Sequence, residues 1–166
     1  MRVTGTEPNI VHLLQQYEHL PRFRDGRIDY TNSKSAPILL CFIEYDGEFL
    51  LLKRSEKVLT YRGLWLTVAG FIDEPKPLAK KVLEELDEEL GIQHPLVQSL
   101  YFAKPYEFND VQAGRSWTRC VSLATLKNRP DIVIDGEHEA YTWKRPSQFN
   151  GYSFPPGFEE SLGMVL

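Results

Sequence analysis

The segment GFIDEPKPLAKKVLEELDEELGI, Gly70 to Ile92, sets five acidic residues between Glu84 and Glu89 in a stretch that otherwise reads as an amphipathic helix. Pro77 suits a first helical position and Gly91 the residue after a helix end, and no Pro or Gly interrupts the interval between them. At about 100° per residue, Leu78, Ala79, Val82, Leu83, Leu86 and Leu90 share one arc that should face a core. The carboxylates do not keep clear of it. Glu89 projects into the arc between Leu78 and Val82, Glu85 lies at its edge, and Glu88 lies one step further round, so three carboxylates converge beside apolar packing.

A carboxylate withdrawn from water is costly unless it is paired, protonated or bound to a cation, and like charges raise one another's pKa. A divalent metal answers both demands. Oxygen donors with no Cys or His pair nearby favour Mg²⁺ over zinc. The plainer alternative is a solvated acidic face, the ordinary fate of a charge run.

The same stretch resembles the Nudix box, which runs G, five residues, E, seven residues, R-E-U-x-E-E-x-G-U, with U a bulky aliphatic residue. Gly70, Glu85, Leu86, Glu88, Glu89, Gly91 and Ile92 match, whereas Lys76 stands for the first Glu and Glu84 for the Arg. The likeness extends outward over roughly Pro37 to Phe149. FLLLKRS, ending at Ser55, looks like the family's strand with a terminal Arg, and GLWLTVAGF, Gly63 to Phe71, like the Trp-containing strand that enters the box loop. Downstream, Glu137-His138-Glu139-Ala140-Tyr141-Thr142-Trp143 is similar to an E-H-x-x-Y-x-W run of some Nudix enzymes.

The resemblance implies an α/β (α+β) fold, a Nudix-like α/β/α sandwich with a mixed sheet between helices. It also implies hydrolysis of a nucleoside diphosphate linked to another moiety, with Mg²⁺ or Mn²⁺ as cofactor. Glu85 and Glu89 would be the main metal ligands, with Glu88 and the Gly70 carbonyl beside them, and Glu88 or Glu137 the base. Arg54, Arg62, Arg115 and Arg119 are candidates for steadying phosphates, and Tyr106, Phe108 or Tyr141 for stacking on a base. Trp65 is expected in core packing. In the family the first Glu and the Arg brace the box loop and orient a metal-binding Glu. Here the two signs are exchanged, and Lys76 is expected to fold back onto Glu84. The alternative reading is a Nudix-like module that binds a nucleotide or a protein and hydrolyses little.

The rest of the chain narrows the function classes. Its 166 residues, 42% of them hydrophobic, suit one domain with a real core, expected as an N-terminal helix and extension over 1–35 and a Nudix-like domain over 36–166. A net charge of −4 with scattered Lys and Arg argues against binding a nucleic-acid duplex. No charged-then-apolar leader follows Met1, and no apolar run approaches the ~20 residues of a bilayer span, so a cytoplasmic, non-membrane protein is expected. Cys41 and Cys120 read as reduced core residues. For Met1 to Ser35 two roles stay open, covering the substrate cleft or mediating a homodimer.

Local signals predict a short helix over Asn9–Leu20 and a loop over Arg22–Ser35. Strands are expected at Pro37–Tyr45 and Glu48–Lys53, joined by an Asp46-Gly47 hairpin turn. Further strands are expected at Leu64–Ile72, Leu96–Pro105, Trp117–Leu126 and Ala140–Lys144, with a terminal helix starting near Pro146 or Gly157.

Overall fold

The computed structural model describes every residue from Met1 to Leu166. In chain order its elements are β1 (Arg2–Gly5), α1 (Ile10–Leu14), β2 (Ser35–Tyr45), β3 (Glu48–Arg54), β4 (Trp65–Leu66), β5 (Val68–Phe71), α2 (Leu78–Leu90), β6 (Val97–Phe102), β7 (Tyr106–Asp110), β8 (Arg115–Leu126), β9 (His138–Lys144) and α3 (Phe158–Gly163). The strands join one mixed sheet whose main path runs β1-β6-β8-β2-β3-β4, with β5 on β2, β7 on β8 and β9 on β3. The β1/β6 and β2/β8 pairs are parallel and the others antiparallel. No helix is long and apolar enough to cross a membrane.

The two-residue period of β2 divides its side chains between two layers. Leu39, Cys41 and Ile43 join Leu78, Val82, Leu86 and Leu90 of α2, and Ile10 and Leu14 of α1, in the larger core. Phe42 on the opposite face packs with Val121 of β8 and with Phe158 and Leu162 of α3. The result is the expected helix–sheet–helix sandwich. Cys41 and Cys120 are buried free thiols, and burial pushes each up to about 12.

The box segment folds as its punctuation requires. Gly91 ends α2 with φ 70°, and its N–H bonds Asp87 O while that of Ile92 bonds Leu86 O. This left-handed cap is open to glycine at little cost. Pro77 sits one residue earlier than expected, as the cap itself, with its carbonyl accepting from Lys81 N. The side chain of Glu7, from the N-terminal segment, accepts from Ala79 N at 2.8 Å and so caps α2 from 72 residues away.

Elsewhere the boundaries shift for local reasons. The first helix stops at Leu14 and tightens into a 3₁₀ turn at Gln15–Tyr17. Pro21 disfavours helical geometry in the residue before it, which stops the helix short of Leu20. The Leu64–Ile72 stretch splits into β4 and β5. Gly157 precedes α3, whereas Pro146 opens only a 3₁₀ turn. Strands β1 and β7 lie outside the expected strands.

Candidate active site

Face alternation also builds a cleft. Ile38, Leu40 and Phe42 of β2 and Arg115, Trp117 and Arg119 of β8 point to the α3 side of the sheet, where they line a cleft of about 550 Å³. The β3–β4 loop, through Lys57 to Tyr61, and Pro155, Pro156 and Phe158 complete its walls, and Gly70 and Glu137 also line it. Four cations, Arg54, Lys57, Arg115 and Arg119, face a single carboxylate there, that of Glu137. Such a lining selects anions.

The acidic helix meets the cleft at Gly70. A Cβ on Gly70 would lie 3.6 Å from the carboxyl carbon and from Oε2 of Glu85, an ordinary contact distance, which places that carboxylate directly against Gly70. Glu85 is 13% exposed and pairs with Lys81 at 3.1 Å. Glu89 Oε2 is buried with no hydrogen-bond partner. Burial, the Glu85 carboxyl, and the charges of Glu137 and Asp135 together push the Glu89 carboxyl up to about 9. A neutral Glu89 in the metal-free protein is what crowding of buried carboxylates dictates. An orphaned buried oxygen beside a second carboxylate, both hard donors, fits a divalent cation of the Mg²⁺ or Mn²⁺ type.

The other expected residues divide. Glu88 is exposed on α2, and no group of three or more His, Cys, Asp or Glu side chains forms a ready-made ligand set. Glu137 is held at the cleft by Arg54 at 3.7 Å, and its backbone carbonyl accepts from Ser55 N. Arg54 also donates to Thr60 O at 3.3 Å. Arg115 lies over Trp117 at 5.0 Å and Phe71 at 5.7 Å, with Nε donating to Ser33 O. Arg119 is buried over the Phe108 ring at 3.9 Å and donates to Tyr106, Ser161 and Pro156 O.

Four expected substrate contacts, Arg62, Tyr106, Phe108 and Tyr141, lie outside the cleft lining. Arg62 donates to Val58 O within its own loop, Tyr106 is engaged with Ser161 Oγ at 2.6 Å, and Tyr141 sits on β9 opposite Leu52. Tyr106 and Phe108 instead support Arg119 from β7. Trp65 packs edge-on against Tyr152 at 5.1 Å.

The reversed pair is present: Lys76 Nζ donates to Glu84 Oε2 at 2.8 Å, and this bond holds Glu84 below and Lys76 above their ordinary values. Several further residues shape the site without a motif of their own. Phe71 and Trp117 supply aromatic surface in the cleft, and Asp135 holds His138 at 3.3 Å beside Glu137. Tyr61 takes φ 55° and donates its hydroxyl to the fully buried Asp110, which Trp117 Nε1 and Ala113 N also bond. Only the alternation of β8 carried a signal for Trp117; the others depend on how distant segments meet.

With this geometry in view, the family model for the NUDIX domain matches residues 33–162. The chain belongs to the Nudix family. Among Nudix relatives it is 26% identical over 133 residues to the nucleoside triphosphatase NudI of Salmonella arizonae, covering 72% of this chain and 88% of that protein. The crystal structure of a MutT NUDIX hydrolase from Burkholderia pseudomallei matches with a TM-score of 0.67 and 25% identity, covering 81% of this chain and all of that one. A bifunctional NMN adenylyltransferase/ADP ribose pyrophosphatase of Francisella tularensis, complexed with AMP and an Mn ion, shares the fold at TM-score 0.64 and 14% identity. It covers 93% of this chain and 44% of that one. The protein is a Nudix-type hydrolase.

Proposed function

We propose that this Nudix enzyme hydrolyses a diphosphate bond in a small nucleotide-type substrate, a nucleoside diphosphate linked to another moiety, in a metal-dependent reaction. One observation carries the reading: the partnerless buried oxygen of Glu89, beside Glu85, where a cation-lined cleft meets the box helix. Glu85 and Glu89 would hold Mg²⁺ or Mn²⁺, with the Gly70 carbonyl beside them. When bound, the ion supplies neutralisation of phosphate oxygens and acidification of water.

The chain's own residues do the rest. Arg54, at the cleft rim, and Arg115, over the aromatic floor, offer guanidinium groups to phosphate oxygens. Phe71 and Trp117 present ring surface on which a base stacks. Glu137 or the exposed Glu88 takes the proton of the attacking water. The nucleoside triphosphatase relative and the AMP-bound fold neighbour support a nucleotide-type ligand.

Phosphate release from dinucleoside polyphosphates, nucleotide sugars and nucleoside triphosphates, with and without Mg²⁺, tests this. Turnover of at least one class is expected only with metal, with a loss of about 10²-fold or more in Glu89→Gln. Equal rates in wild type and Glu89→Gln would sink the site assignment. Because Lys76 and Glu84 depart from the box pattern, binding of these compounds without turnover would instead assign the cleft to a nucleotide-binding module.

A further inference from the structure

We propose that Lys81 holds Glu85 in place for the reaction, a positioning role at a point in the helix where the box pattern specifies no residue. The inference rests on the reading of Glu85 as a metal ligand.

Lys81 and Glu85 are four positions apart, so one helix face carries both. Ordinary pairs of that spacing lie in solvent. This one does not: each side chain is 13% exposed, and Lys81 Nζ is also 3.8 Å from both Asp73 and Glu74 on the box loop. Asp73 is tied in on two sides, its Oδ2 lying 3.6 Å from Arg27 Nη1. Its backbone carbonyl accepts from Ile28 N, and its side chain is 9% exposed, with Oδ1 lacking a hydrogen-bond partner. Lys81 therefore spans from a nearly buried loop carboxylate to the carboxylate that faces Gly70.

The reversed pair does not make this connection. Lys76 joins Glu84 to Glu74, at 2.8 and 3.1 Å. Charges then alternate along Glu84, Lys76, Glu74, Lys81 and Glu85, and only the last link touches the acidic pair. The two tasks that the family pattern gives to one Glu–Arg pair are here divided. Lys76 ties the loop to the helix, and Lys81 restrains one oxygen of Glu85, leaving the other free to ligate.

A second consequence of an ammonium at this position is repulsion of a dication. A mere counter-ion and a positioning group are thus separated by sign: removing the first tightens metal binding, and removing the second weakens it. The full chain would be titrated with Mn²⁺ alone, following free Mn²⁺ by electron paramagnetic resonance, in wild type, Lys81→Met, Lys81→Arg and Glu85→Gln. Turnover of a substrate found in the phosphate-release panel would be measured alongside.

Lys81→Met is expected to weaken Mn²⁺ binding and to lower kcat by about 10- to 100-fold, the usual cost of losing a group that orients a ligand. KM should stay within about twofold, and Lys81→Arg should recover most of both losses. Unchanged or tighter Mn²⁺ binding in Lys81→Met, or failure of Lys81→Arg to rescue, overturns the proposal. If Lys81→Met melts below the assay temperature, Lys81→Gln replaces it with the same two outcomes. Absence of Mn²⁺ binding in wild type, or its persistence in Glu85→Gln, would instead overturn the functional reading beneath it.

Discussion

At the scale of single residues, the pair that departs from the box makes a direct contact, and its energy is bounded by its exposure. Lys76 and Glu84 are 25% and 34% exposed, which places the pair among surface ion pairs worth about 0.2–1 kcal/mol. Glu84→Arg should lower stability by about that amount, through repulsion of Lys76, and should weaken Mn²⁺ binding modestly. Adding Lys76→Glu should restore both. A double-mutant cycle by urea denaturation and Mn²⁺ titration checks this, and additive losses would show that the two side chains act independently. The signs of the two residues made this contact legible in the sequence. Lys81 was not legible, because its spacing to Glu85 says nothing of the approach of Asp73 and Glu74, which the loop's path decides.

At the scale of elements, the seating of α3 on the sheet depends on Gly157. That residue has φ 80°, and a Cβ there would lie 2.3 Å from Arg119 Nη1 and within 2.9 Å of the Phe108 ring. Gly157→Ala should therefore destabilise the fold by about 2 kcal/mol, read from the urea midpoint, and disturb the Arg119 end of the cleft. An unchanged midpoint would mean that the terminal segment re-seats without cost. Strands with a strong alternating or apolar pattern, such as β2 and β8, were readable in advance. β1 was not, since all four of its residues are exposed and nothing but pairing with β6 makes it a strand. The five residues of β7 likewise owe their conformation to β8.

At the scale of the whole molecule, the acidic helix could be read from the chain, whereas the cleft could not. Its lining comes from β2, the β3–β4 loop, β8 and the segment before α3, and no local pattern announces that meeting. Arg62 and Tyr106 are plausible by residue type, yet each bonds a neighbour outside the cleft lining, and Tyr141 stands exposed on β9. The protonation of Glu89 gives a global test. Its folded value of about 9 lies above the ordinary 4.5, with Glu85, Glu137 and Asp135 the acids acting on it. Between those values the native state keeps a proton that the unfolded chain has released, so metal-free stability should fall as pH rises from about 4.5 to 9. Mg²⁺ competes for the ionised form, and its stabilisation should grow over the same range. Urea midpoints at about pH 5.5 and 8.5, in chelator and in Mg²⁺, check both signs. A flat metal-free profile would show that Glu89 ionises freely in the native protein.

The two cysteines lie on one seam of the sheet, Cys41 opposite Ser122 and Cys120 opposite Leu39, where β2 and β8 run parallel. Buried and held up to about 12, neither offers a thiolate to reagents in the closed state. Labelling at these sulfurs thus waits for the middle strands to part, and its rate is a clock for that opening, carried inside the molecule.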